Sequence, residues 1–272
     1  MAGRSARSAR AARSRPRSQH FLRSPRLAAA IVADAQVSPG ELVLDIGAGS
    51  GRLTAALADR GARVHAIELA PVWAGRLRER FAAGATVVVV EADVLRAPFT
   101  AEPFRVVANL PFHLTTAILR RLLDDARVPL LRADVLVEWE VARKRALCWP
   151  STLLNVVWGA RWELDAVRRI PAACFEPRPD ADAGVLRISR RPEPLVLDGD
   201  LAAFRRLVEA GFRRTPLRAA LAAHVPARVF KQVGRELGFE PSAAARDLDV
   251  HQWAALFAAV SRAGARSIER EG

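Results

Sequence analysis

Along the chain the spacing of apolar positions changes several times, and each change marks an element. From Pro25, the residues Leu27, Ile31 and Val32 recur at helical spacing until Pro39-Gly40 closes the segment. Leu42 to Ile46 then reads as a buried strand, the turn Gly47 to Gly51 opens a helix through about Arg60, and Ala62 to Ile67 is a second strand ending in Glu68. A helix from Pro71 to about Phe81 follows, with proline where a first helical turn tolerates it. The unbroken β-branched run Thr86 to Val90 has the composition of a central strand covered on both faces. Phe104 to Ala108 reads as a fourth strand and runs into Asn109-Leu110-Pro111-Phe112, after which Leu114 to Leu123 is helical. Ala133 to Trp139, Trp162 to Ile170 and Gly184 to Ser189 supply three more strands.

Strands alternating with helices predict a doubly wound α/β fold with a mostly parallel seven-stranded sheet, whose ligands bind at the carboxyl ends of the strands. Past Pro192 the period becomes helical from Leu201 to Val260, interrupted at Pro216, Pro226, Gly238 and Pro241, which predicts a small C-terminal all-helical domain. The chain thus divides into a basic disordered arm over 1–17, an α/β domain over 18–191, a helical domain over 192–263 and a frayed tail over 264–272.

Composition narrows the functional classes. Of 272 residues, 51% are apolar, which excludes a collagenous or disordered chain. No apolar run approaches the roughly 18 residues of a membrane span, and the Arg-rich start lacks a secretory pattern. Cys148 and Cys174 form no CxxC pair, so neither a disulfide framework nor a zinc cluster is expected, and a reducing cytosol fits. The net charge of +13 calls for a polyanionic partner. Arg4, Arg7, Arg10, Arg13, Arg15 and Arg17 stand in the first 17 residues without an acid, as in a nucleic-acid-seeking arm or a solubilising tail.

The candidate chemistry lies at successive strand ends. Asp45-Ile46-Gly47-Ala48-Gly49-Ser50-Gly51 lets backbone approach a ligand closely, but Arg52 stands where the dinucleotide fingerprint needs its third glycine, and there is no phosphate-binding P-loop. Glu68 is placed to accept hydrogen bonds from ribose hydroxyls and Asp93 from an adenine amino group, so together they describe an adenosine site. Singly, each is a helix cap or a surface charge. At Asn109-Leu110-Pro111-Phe112, an amide and an adjacent carbonyl can accept both hydrogens of an exocyclic amine while the aromatic ring stacks its base. Two such acceptors favour pyramidalisation of the nitrogen toward an electrophile, so that orientation and polarisation carry the step without a covalent nucleophile or a metal. The alternative is an ordinary turn with Phe112 in the core.

These segments, with Ser18-Gln19-His20-Phe21-Leu22, Glu138-Trp139-Glu140-Val141-Ala142-Arg143-Lys144 and Phe175 to Gly184, resemble the S-adenosylmethionine-dependent rRNA adenine N6-methyltransferases, and within them the erythromycin-resistance (Erm) 23S rRNA methylases. The likeness covers about Ser18 to Arg190 and implies a Rossmann-like methyltransferase sheet with a helical RNA-binding domain. It implies S-adenosylmethionine as co-substrate without a metal, 23S rRNA, free or in assembly precursors, as partner, and a monomer away from membranes. His20 and Leu22 would flank the methionine end of the cofactor, with Gly47 and Gly49 against it, Glu68 on the ribose and Asp93 on the adenine. Asn109 and the Leu110 carbonyl would address the target amine and Phe112 would stack its ring. Two positions depart from the family pattern: His20 stands where asparagine is common, and Phe112 replaces a frequent tyrosine. Arg143-Lys144-Arg145 and Arg213-Arg214 could grip phosphates or form solvated faces, and the tryptophans Trp139, Trp158 and Trp253 are expected in the core. The rival readings are a housekeeping small-subunit rRNA dimethylase, a DNA adenine methylase and a catalytically silent RNA-binding relative.

Overall fold

A computed structural model describes residues 20–268. The basic arm expected over 1–17, the first two residues of the Ser18 to Leu22 motif and residues 269–272 lie outside the described residues. The strands are β1 (Phe21–Leu22), β2 (Leu42–Ile46), β3 (Arg63–Glu68), β4 (Val87–Glu91), β5 (Phe104–Asn109), β6 (Leu130–Glu138), β7 (Trp162–Ile170), β8 (Phe175–Glu176) and β9 (Ala183–Arg190). Seven form one sheet in the order β4-β3-β2-β5-β6-β9-β7, and β1 pairs with β8 in a separate ribbon. Strands β2 to β6 are parallel, whereas β9 runs antiparallel to β6 and β7. The strand order reverses between β2 and β5, so a crevice opens at their carboxyl ends.

The period of two decides which layer each strand residue joins. On β2, Leu42, Leu44 and Ile46 face one core with Val106, Val135, Leu119 and Trp158. Val43 faces the other, with Val107, Leu136, Ile31, Val32 and Leu57. The second layer is built by α1 (Pro25–Ala35) and α2 (Arg52–Asp59). Helix α1 begins with Pro25 in its first turn, where the Ser24 hydroxyl accepts the Leu27 N–H at 3.3 Å, and it ends at Gln36 in the left-handed region.

Several expectations are corrected. The Thr86 to Val90 run is not a central strand: β4 is the sheet edge, pairs only with β3, and leaves Val88 51% exposed. Its Val87 and Val89 pack on Leu77 and Phe81 of α3 (Pro71–Phe81), so apolar composition reported a packed face rather than a place in the sheet order. Trp139 does not end a strand but opens a helix. After α4 (Thr115–Leu123), the stretch between β6 and β7 folds as α5 (Trp139–Ala146) and α6 (Leu153–Gly159). The helical domain comprises α7 (Leu201–Gly211), α8 (Leu217–Ala220), α9 (Ala227–Leu237) and α10 (Val250–Ile268). Residues 264–268 are therefore helical where a frayed tail was expected.

The helical domain does not hang from a linker. Val156 and Ala160, at α6, share its core with Phe204, Leu207, Phe230 and Trp253, and the Leu195 N–H donates to the Ala160 carbonyl at 2.8 Å. Trp158 and Trp253 are buried as expected, whereas Trp139 is only partly covered, lying over Gly184 with the Arg169 guanidinium 5.8 Å from its ring. Among the described residues, no helix is long and apolar enough to cross a membrane.

Candidate active site

The crevice at the switch point encloses about 210 Å³ and is lined by residues from the ends of β2, β3 and β5, from the segment after β4, and from the approach to β1. Parallel pairing brings these termini to one rim. The register Ile46↔Ile67 and Glu68↔Glu91 sets the first two strand ends beside the third, and Asn109 closes β5 next to β6.

The glycine turn leaves β2 with Gly47, Gly49 and Gly51 at φ of 72°, 50° and 72°, a region that costs other residues strain. A Cβ on Gly47 would come within 3.4 Å of the Pro111 ring, and one on Gly49 would strike the ring of Phe21. Glycine is thus required for the backbone path at all three positions and, at Gly49, for the approach of β1. Glu68 is 4% exposed, and its two oxygens accept N–H groups of Gly49 at 2.9 Å and Ala70 at 2.8 Å. Each oxygen keeps a second acceptor direction, so the carboxylate organises the turn and still offers acceptors to a ligand. Asp93 accepts the Leu95 N–H at 2.8 Å and faces Arg96 at 3.6 Å, again with acceptor capacity to spare.

Asn109 is the most constrained polar group of the site. Its Nδ2 donates to the His20 carbonyl at 2.6 Å, while its Oδ1 is buried without a partner. The amide orientation follows from chemistry, because the reversed amide would set two oxygens against each other. An unsatisfied buried acceptor is costly, which sets Asn109 Oδ1 apart from the carboxylate oxygens of Glu68 and Asp93, each of which accepts from or faces a protein group. The Leu110 N–H donates to the Leu136 carbonyl at 3.1 Å, which pins the turn to β6. Phe112 lines the crevice, with its ring centroid 6.4 Å from that of Phe175 in a T-shaped pair and 5.7 Å from that of His20 in a tilted one. Phe112 is thus partly a core residue, packed against the second layer, and also a lining residue of the cavity.

The structure thus brings His20, Gly47, Glu68, Asp93, Asn109, Leu110 and Phe112 to one cavity. Leu22 is separated from it: its side chain is buried in the second layer and borders only a small recess shared with Gly47, Asp45 and Asn109. Gly49 lines neither the cavity nor this recess, and the Phe21 ring covers it. Phe21, on the main cavity, and Pro177, which accepts from His20, lie in motifs that carry the resemblance but receive no role from the sequence, because no local signal joins segments so far apart in the chain.

The basic groups lie outside the crevice. Arg143 and Lys144 are exposed, Arg143 beside Glu140 at 3.4 Å. Arg145 takes neither of the two expected places, a phosphate grip or a solvated face: its guanidinium turns inward to Thr152 and Asn155, 5.3 Å from the Trp158 ring, and burial lowers its pKa. Arg213 and Arg214 are exposed, with Arg214 donating to the Ala219 carbonyl.

Behind the turn, Asp45 is 1% exposed and accepts the Thr54 hydroxyl at 2.6 Å. Burial pushes its carboxyl up to about 7, against the lowering effect of the Thr54 hydrogen bonds and with a smaller push from Glu68.

A family model described as ribosomal RNA adenine dimethylase matches residues 12–261. The chain belongs to this family. Its members are S-adenosylmethionine-dependent enzymes that methylate adenines of ribosomal RNA at N6. The mycinamicin-resistance protein MyrB of Micromonospora griseorubida is 39% identical over 227 residues, covering 82% of this chain and 71% of that one. Ribosomal RNA small subunit methyltransferase A of a Synechococcus strain is 33% identical over 254 residues, covering 88% and 89%. The crystal structure of the 23S rRNA methyltransferase ErmE superposes with a TM-score of 0.79 at 30% identity, over 89% of this chain and 99% of that one.

Two outcomes follow from this geometry. Glu68→Ala and Asp93→Ala should each weaken S-adenosylmethionine binding in calorimetric titration by about 1 to 3 kcal/mol while the chain stays folded, and unchanged affinity in both would remove the adenosine site. For Asp45 the folded carboxyl titrates above its unfolded value of 3.8, so this group favours folding most below about pH 4 and loses that contribution as pH rises to about 7. Asp45→Asn should therefore gain in melting temperature over the parent between pH 5 and 8. A difference that stays constant with pH would contradict the buried-carboxyl reading.

Proposed function

We propose that the chain transfers a methyl group from S-adenosylmethionine to N6 of one adenine in 23S rRNA and so confers resistance to macrolides. The observation that carries the methyl-transfer chemistry is the partnerless Oδ1 of Asn109, a residue that lines the cavity and whose nitrogen is tied to the His20 carbonyl. The choice of 23S rRNA is supported by the likeness to the resistance protein MyrB and to ErmE, and by the Glu138 to Lys144 segment. The housekeeping small-subunit dimethylase is the second reading, favoured by the likeness to methyltransferase A.

The cavity suits the cofactor's chemistry, with carboxylates at the ends of β3 and after β4 for hydroxyl and amine donors and a glycine turn that keeps side chains out of the way. Glu68 would hold the ribose, Asp93 the adenine, and Gly47 the amino-acid end. When bound, S-adenosylmethionine supplies an electrophilic methyl group. The protein's part is orientation. Asn109 Oδ1 and the Leu110 carbonyl accept the two hydrogens of the target amine, drawing its lone pair out of conjugation with the ring. Phe112 stacks the base, which is turned out of its helix to reach the cavity.

N6 methylation adds bulk and removes a donor on the base against which a macrolide lies in the exit tunnel. Expression in a sensitive bacterium should raise macrolide resistance, with lincosamides and streptogramin B following if two methyl groups are added, and Asn109→Ala should abolish it. Mass spectrometry of rRNA from expressing cells should place the new methyl in 23S rRNA, and free 23S rRNA should be a better substrate than the assembled ribosome. A methyl found in 16S rRNA or DNA, with drug sensitivity unchanged, would overturn the proposal.

A further inference from the structure

We propose that His20 is the positioning residue for Asn109, acting through its backbone carbonyl while its imidazole locks that carbonyl in place. The inference deepens the reading that Asn109 addresses the target amine, and it rests on that reading.

The register of the ribbon is Phe21↔Glu176 and Leu22↔Phe175, continued by the Arg23 N–H on the Cys174 carbonyl at 2.9 Å, so His20 lies opposite Pro177 where the ribbon ends. Arg23 and Cys174 form a hydrogen-bonded pair, so by the alternation of antiparallel ladders His20 and Pro177 do not, and the His20 carbonyl points away from β8. It accepts Asn109 Nδ2 at 2.6 Å. The last tie across the ribbon is made by a side chain, with His20 Nδ1 at 2.8 Å from the Pro177 carbonyl. A carbonyl can only accept, so Nδ1 carries the proton. The imidazole also lies 5.7 Å from Phe112, the ring proposed to stack the base.

One residue therefore joins three parts: the Pro177 end of the ribbon, the amide that presents an acceptor, and the stacking ring. Without the Nδ1 tie, the His20 carbonyl would be held only by the two-residue strand β1. An Asn109 amide that lost this carbonyl could rotate and present its NH₂ group, a donor facing a donor. The consequence is specific: His20 should govern turnover at the target amine more than affinity for the cofactor.

Asparagine at position 20 carries an N–H donor at the same distance along the side chain as His Nδ1, whereas leucine keeps comparable bulk without a donor. His20→Asn and His20→Leu should be compared in single-turnover methylation, using the rRNA that the unmodified full chain methylates and saturating S-adenosylmethionine. We expect His20→Leu to fall by about tenfold in rate, the effect of losing one hydrogen bond's worth of transition-state orientation, with cofactor affinity within about twofold of the parent. His20→Asn should stay within about threefold in rate. Adding Asn109→Ala to His20→Leu should lower the rate no further than Asn109→Ala alone, because the two act as one unit. A parent-like rate in His20→Leu would overturn the proposal, as would an equal loss in both variants, which would assign the role to ring packing on Phe112. A loss of cofactor affinity that accounts for the whole rate change would make His20 a cofactor contact instead. Failure of the unmodified chain to methylate any rRNA would count against the proposed function and not against this coupling alone.

Discussion

The hydrogen bond from Asn109 Nδ2 to the His20 carbonyl is the constraint on which the site depends. It connects the end of β5, in the middle of the sheet, to the start of the described chain, which crosses the crevice before α1 begins. It also decides which end of the amide is left free, and so converts an ordinary asparagine into a fixed acceptor. The glycine turn, the β1–β8 ribbon and Pro111 are arranged around that bond. Phe21 can lie over Gly49 because no Cβ stands there, and Pro111 fills the space beside Gly47.

The sheet provides the convergence. Four parallel strands end on one rim and deliver a glycine turn, two carboxylates and the Asn109 turn from segments dispersed over the first half of the chain. The same arrangement explains why Asp45 remains buried beneath the turn, held by Thr54 of α2. The helical domain, sharing its core with α6, is built onto the α/β domain as a continuation of its packing.

The strands were legible because their apolar runs are short and bounded by turn residues, and β2, β5 and β7 begin where the pattern placed them. The rank of β4 was not legible, since a run of valines is equally consistent with a central strand and with an edge whose inner side meets α3. The ribbon was invisible for another reason: each of its strands has two residues, and they pair across more than 150 positions. In the site, Glu68, Asp93 and Asn109 could be chosen because each stands at or just beyond a strand end. The split between Phe21 and Leu22 depends on which way a two-residue strand turns its side chains, and the inward turn of Arg145 depends on Trp158, Thr152 and Asn155 in the next helix. Neither relation is local in sequence.

The central claim is that Asn109 works as an oriented acceptor whose nitrogen must remain tied to His20. Asn109→Asp tests it most directly, because the carboxylate keeps an acceptor for the target amine but has no donor for the His20 carbonyl and sets an oxygen against it. Single-turnover methylation of rRNA at saturating S-adenosylmethionine and pH 8, with cofactor affinity measured alongside, should show a rate lower by about 10² or more, as for loss of an oriented electrostatic group, and an affinity close to the parent. A rate equal to the parent's would show that the tie to His20 is dispensable and would contradict the account.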